Sequence, residues 1–125
     1  AENKSRSTDD LIFLSTHEPC PMCLSAITWA GFDTIYYFFN YQETKKTFKI
    51  VHDLDILSEV FGRPDGTYIK ENCFWKCYAL KELISNLESV SKDSLLEITE
   101  RISSLYGSLS DEYQSKKNDN SIPLN

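Results

Sequence analysis

The sequence lacks any uninterrupted apolar run of the roughly 18 residues that a membrane-spanning helix needs, so we expect no membrane span. It also lacks a charged start followed by an apolar stretch, and we therefore expect no secretory leader. Cysteine is scarce, and its close pairs Cys20/Cys23 and Cys73/Cys77 do not suit a framework of stapling disulfides. These absences favour a protein of the reducing cytoplasm.

Basic residues are also few. Thirteen Lys and Arg residues face nineteen Asp and Glu residues, which gives a net charge of −6. A surface that binds nucleic-acid phosphates usually carries a basic patch. The one short cluster, Lys45, Lys46 and Lys49, is better interpreted as a solvated loop. We therefore expect a small, uncharged or weakly charged substrate rather than a long nucleic acid.

The chain does contain enough apolar material for a folded core, with 41% hydrophobic and 13% aromatic residues. Its length of 125 residues suits a single domain, which we place at 1–116, followed by a polar tail at 117–125. Two strands separated by a helix and no hairpin turn predict a parallel crossover. In chain order, the residue patterns predict a strand at 11–15, a helix from Cys20 that ends before Gly31, a strand at 34–39, a loop at 40–52, and helices at 54–61, 73–88 and 94–116.

The later helices are predicted from apolar stripes and capping residues. Asp53 is a plausible N-cap of the helix at 54–61, and Ser94 with Glu97 could form a capping box. The 73–116 part is predicted to be the helical C-terminal part of the domain. Two stripes support it: Cys73, Cys77, Leu80, Ile84 and Leu87 in the first helix, and Leu95, Ile98, Ile102, Leu105 and Leu109 in the second. Cysteines on such a stripe are expected to be buried packing residues.

The stretch "THEPCPMC" carries the chemistry. Cys20 and Cys23 are three residues apart, so in the first turn of a helix both sulfurs face the same way and can reach one ion. The positive end of the helix favours thiolate, which is the form that zinc binds. A strand before the pair and a helix after it make the pattern more specific. The spacing and the location of Cys20 and Cys23 therefore both suit a metal site.

The longer stretch "THEPCPMCLSAITWAGFDTIYY" resembles the P-C-x-x-C half of the zinc-dependent cytidine deaminase-like superfamily, within the branch of guanine, tRNA-adenosine and cytosine deaminases. The resemblance implies an α/β fold, a three-layer α/β/α sandwich around a mixed sheet. It implies hydrolytic deamination of a nucleobase, nucleoside or small nucleotide, with Zn²⁺ activating water for attack at the amine-bearing ring carbon and ammonia leaving. It also implies a homodimer.

The same family has an upstream H-x-E motif, which supplies the third zinc ligand and a proton-shuttling glutamate. The sequence has no H-x-E. Its opening "AEN" matches the tail of a His-Ala-Glu form, which makes Glu2 the predicted proton shuttle and places the histidine immediately upstream. By the same resemblance, Asn40 and Tyr41, which follow the second strand, are predicted to bind the substrate.

Three other residues near the motif receive structural interpretations. Glu18 is expected to accept hydrogen bonds around the turn, His17 to line the pocket or the turn, and Trp29 to pack in the core.

Two other functions remain open. A deaminase-like domain without catalysis, acting as a binding or partner subunit, is compatible with the missing histidine. A thiol–disulfide oxidoreductase is compatible with "CPMC" after a strand, but Pro19 stands where such sites usually carry an aromatic residue. Such a fold also needs a cis-proline that leads into a strand, and Pro64 lies in a turn with no strand pattern after it.

Overall fold

The structure, a computed structural model, describes residue 8 and residues 10–119. Its elements, in chain order, are β1 (Phe13–His17), α1 (Pro21–Trp29), β2 (Thr34–Phe39), α2 (Tyr41–Phe48), α3 (His52–Phe61), β3 (Lys76–Ala79), α4 (Leu80–Ser85), α5 (Lys92–Lys116) and a final 3₁₀ turn (Lys117–Asp119). No helix in this part of the chain is both long and apolar enough to cross a membrane.

The three strands form one parallel sheet in the order β1-β2-β3. The register places Ile35 at the centre of the sheet, beside Phe13 on one neighbour and Cys77 on the other. The predicted parallel crossover from β1 through α1 to β2 is confirmed, and the chain has an α/β fold. Every strand pair that the structure describes is parallel, so the mixed sheet stays a prediction. The three-layer arrangement also stays a prediction.

The core lies mainly between α1 and the sheet. Its buried members come from α1, β2 and β3, and they are Leu24, Ile27, Ile35, Tyr37 and Cys77. A second cluster joins the start of α2 to α3 through Tyr41, Leu54 and Leu57. Burial of an aliphatic or aromatic side chain of this size stabilises a fold by about 1.5–3 kcal/mol. These two clusters therefore hold α1 and α3 in place around the end of β1.

The start of α1 agrees with its sequence signals. Cys20 is the N-cap, Pro21 opens the first turn, and Ala30 is the C-cap before Gly31. Trp29, which was predicted to pack in the core, instead points outward with 91% of its surface exposed. Trp29 is the last residue of the helix and does not lie on its buried face, which Leu24 and Ile27 form.

The segment predicted as a loop at 40–52 contains the helix α2. A complete capping box starts it: the Glu43 backbone N–H donates to the Asn40 side chain, and the Asn40 backbone N–H donates to the Glu43 carboxylate. This N-x-x-E pattern is a recognised start signal that was overlooked in the sequence. At the next helix, Val51 takes the N-cap position, so Asp53 lies inside the first turn of α3 and the predicted cap is wrong.

The helix predicted at 73–88 is also wrong in its first half. Residues of β3 pair with β2 there, and the backbone N–H of Lys76 donates to the Asp33 carbonyl. The Asn72 side chain accepts hydrogen bonds from the backbone N–H groups of Phe74 and Trp75, which forms a turn before the strand. Helix α4 begins only at Leu80.

The two cysteines of the predicted helical stripe therefore have different environments. Cys77 is buried in β3, as expected, but Cys73 is exposed in the preceding turn, so its predicted burial is wrong. The two cysteines of "CFWKC" are four residues apart, which is close to one turn of a helix. The aromatic residues between them suit a strand instead. Pairing with β2, which is distant in sequence, decided between the two.

The long helix was predicted correctly in its existence and its end, but not in its contacts. It begins at Lys92, so Ser94 lies within the helix and the predicted capping box with Glu97 does not form. Leu105 and Leu109 of the predicted stripe are exposed, at 60% and 57%. Instead, the Ser110 hydroxyl and the Gln114 side-chain amide donate hydrogen bonds to the Phe48 carbonyl at the end of α2.

Candidate metal centre

The cysteine pair lies where β1 passes into α1, at the carboxyl end of a parallel strand. The Cys20 sulfur is 3.1 Å from the Cys23 sulfur and also accepts the backbone N–H of Cys23 at 3.4 Å. Cys23 is exposed and Cys20 is half-buried. The pair therefore combines two thiols, the positive end of a helix and access from outside.

The pair fits two ligand positions of a tetrahedral zinc site after a small adjustment. Zinc–sulfur bonds of about 2.3 Å in a tetrahedral arrangement place two sulfurs about 3.8 Å apart. Because Cys23 is exposed, a modest rotation of its side chain can widen the 3.1 Å separation. The pKa of the Cys23 thiol is raised, mainly by its hydrogen bond with Cys20 and secondly by burial. A metal ion must therefore displace a proton to bind.

Within the described part of the chain, no third ligand lies beside this pair. Among residue 8 and residues 10–119, no three His, Cys, Asp or Glu side chains are arranged to hold a metal ion. Glu2, the predicted proton shuttle, lies outside the described residues. The pair thus supplies two sulfur donors.

Both cysteines open onto a cavity of about 480 Å³, a volume in the range of small-molecule sites. Apolar side chains such as Phe13 and Ile27 form much of its wall. His17 and Asp53 also line it, which brings an imidazole and a carboxylate to the cavity of the two thiols. Two thiols, an imidazole and a carboxylate therefore share one cavity.

His17 is the last residue of β1, and it lines the cavity as expected. Its ring contacts Phe39, Phe48 and Tyr106, with ring centroids 5.1–5.9 Å apart. Its Nδ1 lies 3.0 Å from the hydroxyl of the buried Thr44. Burial lowers the pKa of His17 against the opposing effect of nearby carboxylates, so the ring is neutral at neutral pH.

Asp53 is a cavity residue that the sequence reasoning had assigned only to helix capping. It comes from the first turn of α3, and burial raises the pKa of its carboxyl group. Its interaction with the charged form of His17 works in the opposite direction. One feature of the sequence indicates an inward position for Asp53. It lies four residues before the buried Leu57, on the same side of the helix.

Glu18 has the structural role that was predicted for it. Its carboxylate is almost fully buried and accepts hydrogen bonds from the Tyr41 backbone N–H, at 3.0 Å, and from the Lys70 ammonium, at 2.5 Å. Lys70 was missed entirely by the sequence reasoning, since it lies 52 residues away and belongs to no motif. Only the folded chain brings it to the turn before Cys20.

Asn40 and Tyr41, the predicted substrate-binding residues, follow β2 at its carboxyl end as expected. The Asn40 side-chain oxygen caps α2, and the Tyr41 hydroxyl donates to the Pro19 carbonyl at 2.5 Å. Both residues line a neighbouring cavity of about 210 Å³ together with Glu18 and Lys70. Contact between either residue and a substrate stays a prediction, and both already have a structural task beside the cysteine turn.

A larger cavity, of about 980 Å³, is a different one. Aromatic and aliphatic residues, among them Phe61, Phe74 and Trp75, form most of its wall, and Cys73 is its only cysteine. It contains neither Cys20 nor Cys23. We assign the candidate site to the smaller cavity because the groups able to bind a metal or transfer a proton lie there.

Comparison with known proteins adds no relative. No family model, no curated protein and no solved structure matches this chain.

Proposed function

We propose that this protein is a zinc-dependent deaminase that hydrolyses the exocyclic amine of a nucleobase, nucleoside or small nucleotide. The observation that carries the proposal is the position of Cys20 and Cys23, capping and opening α1 at the carboxyl end of a parallel strand. The sequence resemblance supplies the reaction, and a cavity of a size suited to a base supports it.

The chain's own residues would divide the work as follows. Cys20 and Cys23 hold Zn²⁺, which when bound supplies Lewis-acid activation of water. Asp53 can accept hydrogen bonds from the N–H groups of a base, and the apolar wall can contact its ring. By resemblance, Glu2 moves the proton to the departing ammonia, and a histidine upstream is the third ligand.

The cellular setting belongs to the same proposal. We place the protein in the cytoplasm, because the close spacing of its cysteines does not suit a framework of disulfides. A homodimer is a further expectation from the resemblance, and sedimentation of the purified protein checks it.

The test begins with zinc content, measured by elemental mass spectrometry on the full-length protein. We expect about one zinc per chain in the wild type and in the Cys73→Ser variant, whose thiol is exposed but lies outside the site. Cys20→Ser and Cys23→Ser should lose the metal. Full zinc occupancy in Cys23→Ser would overturn the proposed centre.

Activity is then tested as ammonia release from a panel of purine and pyrimidine bases, nucleosides and nucleotides. Release that depends on both cysteines supports the deaminase. Zinc binding without release from any member of the panel would favour the non-catalytic binding or partner role.

A redox dithiol is the second candidate, because the two sulfurs are already 3.1 Å apart and Cys23 is accessible. Cycling of the Cys20–Cys23 pair with dithiothreitol, detected as a mass change of about two hydrogens, would favour it in a protein without zinc.

A further inference from the structure

The turn that leads into Cys20 is fixed by groups from distant parts of the chain. Glu18, two residues before Cys20, donates its backbone N–H to the Phe39 carbonyl at 2.7 Å. Its carboxylate is only 3% exposed and accepts from the Tyr41 N–H. Pro19, the next residue, accepts the Tyr41 hydroxyl. Both residues that precede Cys20 are therefore held, and a shift of either one would move the Cys20 sulfur.

Among the described residues, Lys70 is the cation that pairs with this buried carboxylate. Its ammonium lies 2.5 Å from the Glu18 carboxylate and 2.5 Å from the Tyr37 hydroxyl. The same nitrogen lies 4.7 Å and 5.0 Å from the ring centroids of Tyr37 and Tyr68. The backbone carbonyl of Lys70 accepts the N–H of Cys77, which ties this residue to β3. Lys70 thus links the third strand to the cysteine turn.

The charge balance makes this link specific. Burial would lower the pKa of Lys70, but its hydrogen bonds to Glu18 and Tyr37 outweigh burial and raise that pKa, so Lys70 stays charged. Without Lys70, the buried Glu18 carboxylate would lose the counter-charge that the described part of the chain gives it, which is strongly unfavourable. The turn would then open to hydrate the carboxylate, and the Cys20–Cys23 geometry would change with it.

We propose that Lys70 is a positioning residue, which sets the separation and orientation of the Cys20–Cys23 pair through Glu18. Its relevance to metal binding rests on the proposed function, but its effect on the geometry of the two thiols does not. Neighbours that orient metal ligands typically change metal affinity about 10–100-fold when they are removed.

The experiment measures the thiol geometry directly, in a Cys73→Ser background that removes the other exposed thiol. The equilibrium of the Cys20–Cys23 disulfide with glutathione gives the effective concentration of one thiol at the other. Zinc affinity, from competition with a chromogenic chelator, is the second readout. We expect Lys70→Met to change the effective concentration and weaken zinc binding by about tenfold or more.

Three further variants separate positioning from general stability. Lys70→Arg keeps the positive charge and should stay within about threefold of the wild type. Glu18→Gln combined with Lys70→Met removes the uncompensated charge and should recover part of the loss. Lys76→Met breaks the exposed, 3.8 Å pair with Glu71 and is the matched control, with no expected change.

Equal effective concentrations in the wild type, Lys70→Met and the Lys76→Met control would overturn the inference. If Lys70→Met does not fold, the Lys70→Arg variant is compared with a single Glu18→Gln variant. An effective concentration of the thiols that changes as much in Lys70→Arg as in Glu18→Gln would overturn the inference equally. If the wild type binds no zinc but Lys70→Met still changes the disulfide equilibrium, the positioning role stands and the proposed function fails.

Discussion

Gly66 offers a sharp test of the packing beside the site, because Gly62 provides a matched reference. Both glycines have positive φ angles, 68° and 61°, which an L side chain adopts at a cost of about 1–2 kcal/mol. A Cβ on Gly62 would meet nothing within 4 Å. A Cβ on Gly66 would lie 2.5 Å from Leu54 Cδ2 and 3.1 Å from Tyr41 Cδ2, two residues of one buried cluster.

The difference between the two alanine variants isolates that contact. Gly62→Ala should lower the free energy of unfolding by the backbone term alone, about 1–2 kcal/mol. Gly66→Ala adds overpacking of about 1–3 kcal/mol, for a total of about 2–5 kcal/mol. Because the Tyr41 hydroxyl supports Pro19, Gly66→Ala should also weaken zinc binding, whereas Gly62→Ala should not.

Urea unfolding followed by circular dichroism measures both variants. Gly107→Ala is the positive control: it lies within α5 with open space around its Cβ position and should stabilise the protein by about 1 kcal/mol. Equal losses in Gly62→Ala and Gly66→Ala, within about 0.5 kcal/mol, would refute the close packing of Gly66 on Tyr41.

Three other predictions concern the same structure. Because burial lowers the pKa of His17, the unfolded chain binds a proton more tightly, so the urea midpoint should fall as the pH drops through 6.5, and His17→Gln should flatten this dependence. Tyr41→Phe leaves the Pro19 carbonyl without its donor and should lower the free energy of unfolding by about 1–3 kcal/mol in urea, and an unchanged value would contradict that hydrogen bond. Ile35→Ala, at a fully buried position, should lower the free energy of unfolding by about 2–5 kcal/mol, whereas Trp29→Lys, at an exposed one, should change it by less than about 0.5 kcal/mol. Thermal unfolding of both variants distinguishes the core position from the surface one.

Local chemistry explains the parts of the fold that could be predicted. The start of α1 follows from Pro21 in its first turn, and its end is set at Gly31. The crossover to β2 follows from the apolar run "TIYYFF", which suits a strand buried on both sides. In each case the deciding residues lie within a few positions of the element that they define.

Two of the errors share one physical origin. The segment around Cys77 has a spacing compatible with a helix, and pairing of its backbone with β2 made it a strand. Leu105 and Leu109 form a helical stripe, but α5 contacts α2 through another face. Such outcomes depend on which surface a segment meets, and that surface belongs to residues far away in the sequence.

The sequence by itself determined the cysteine pair, its place between a strand and a helix, and the spacing on which the proposed metal site rests. Those features depend on residues that are adjacent along the chain, so local geometry is sufficient. The tertiary structure decided which groups surround the pair: Asp53 and His17 in the cavity, and Lys70 at the buried Glu18 carboxylate. A buried charge requires a partner in space, and no local pattern specifies one that lies 52 residues away.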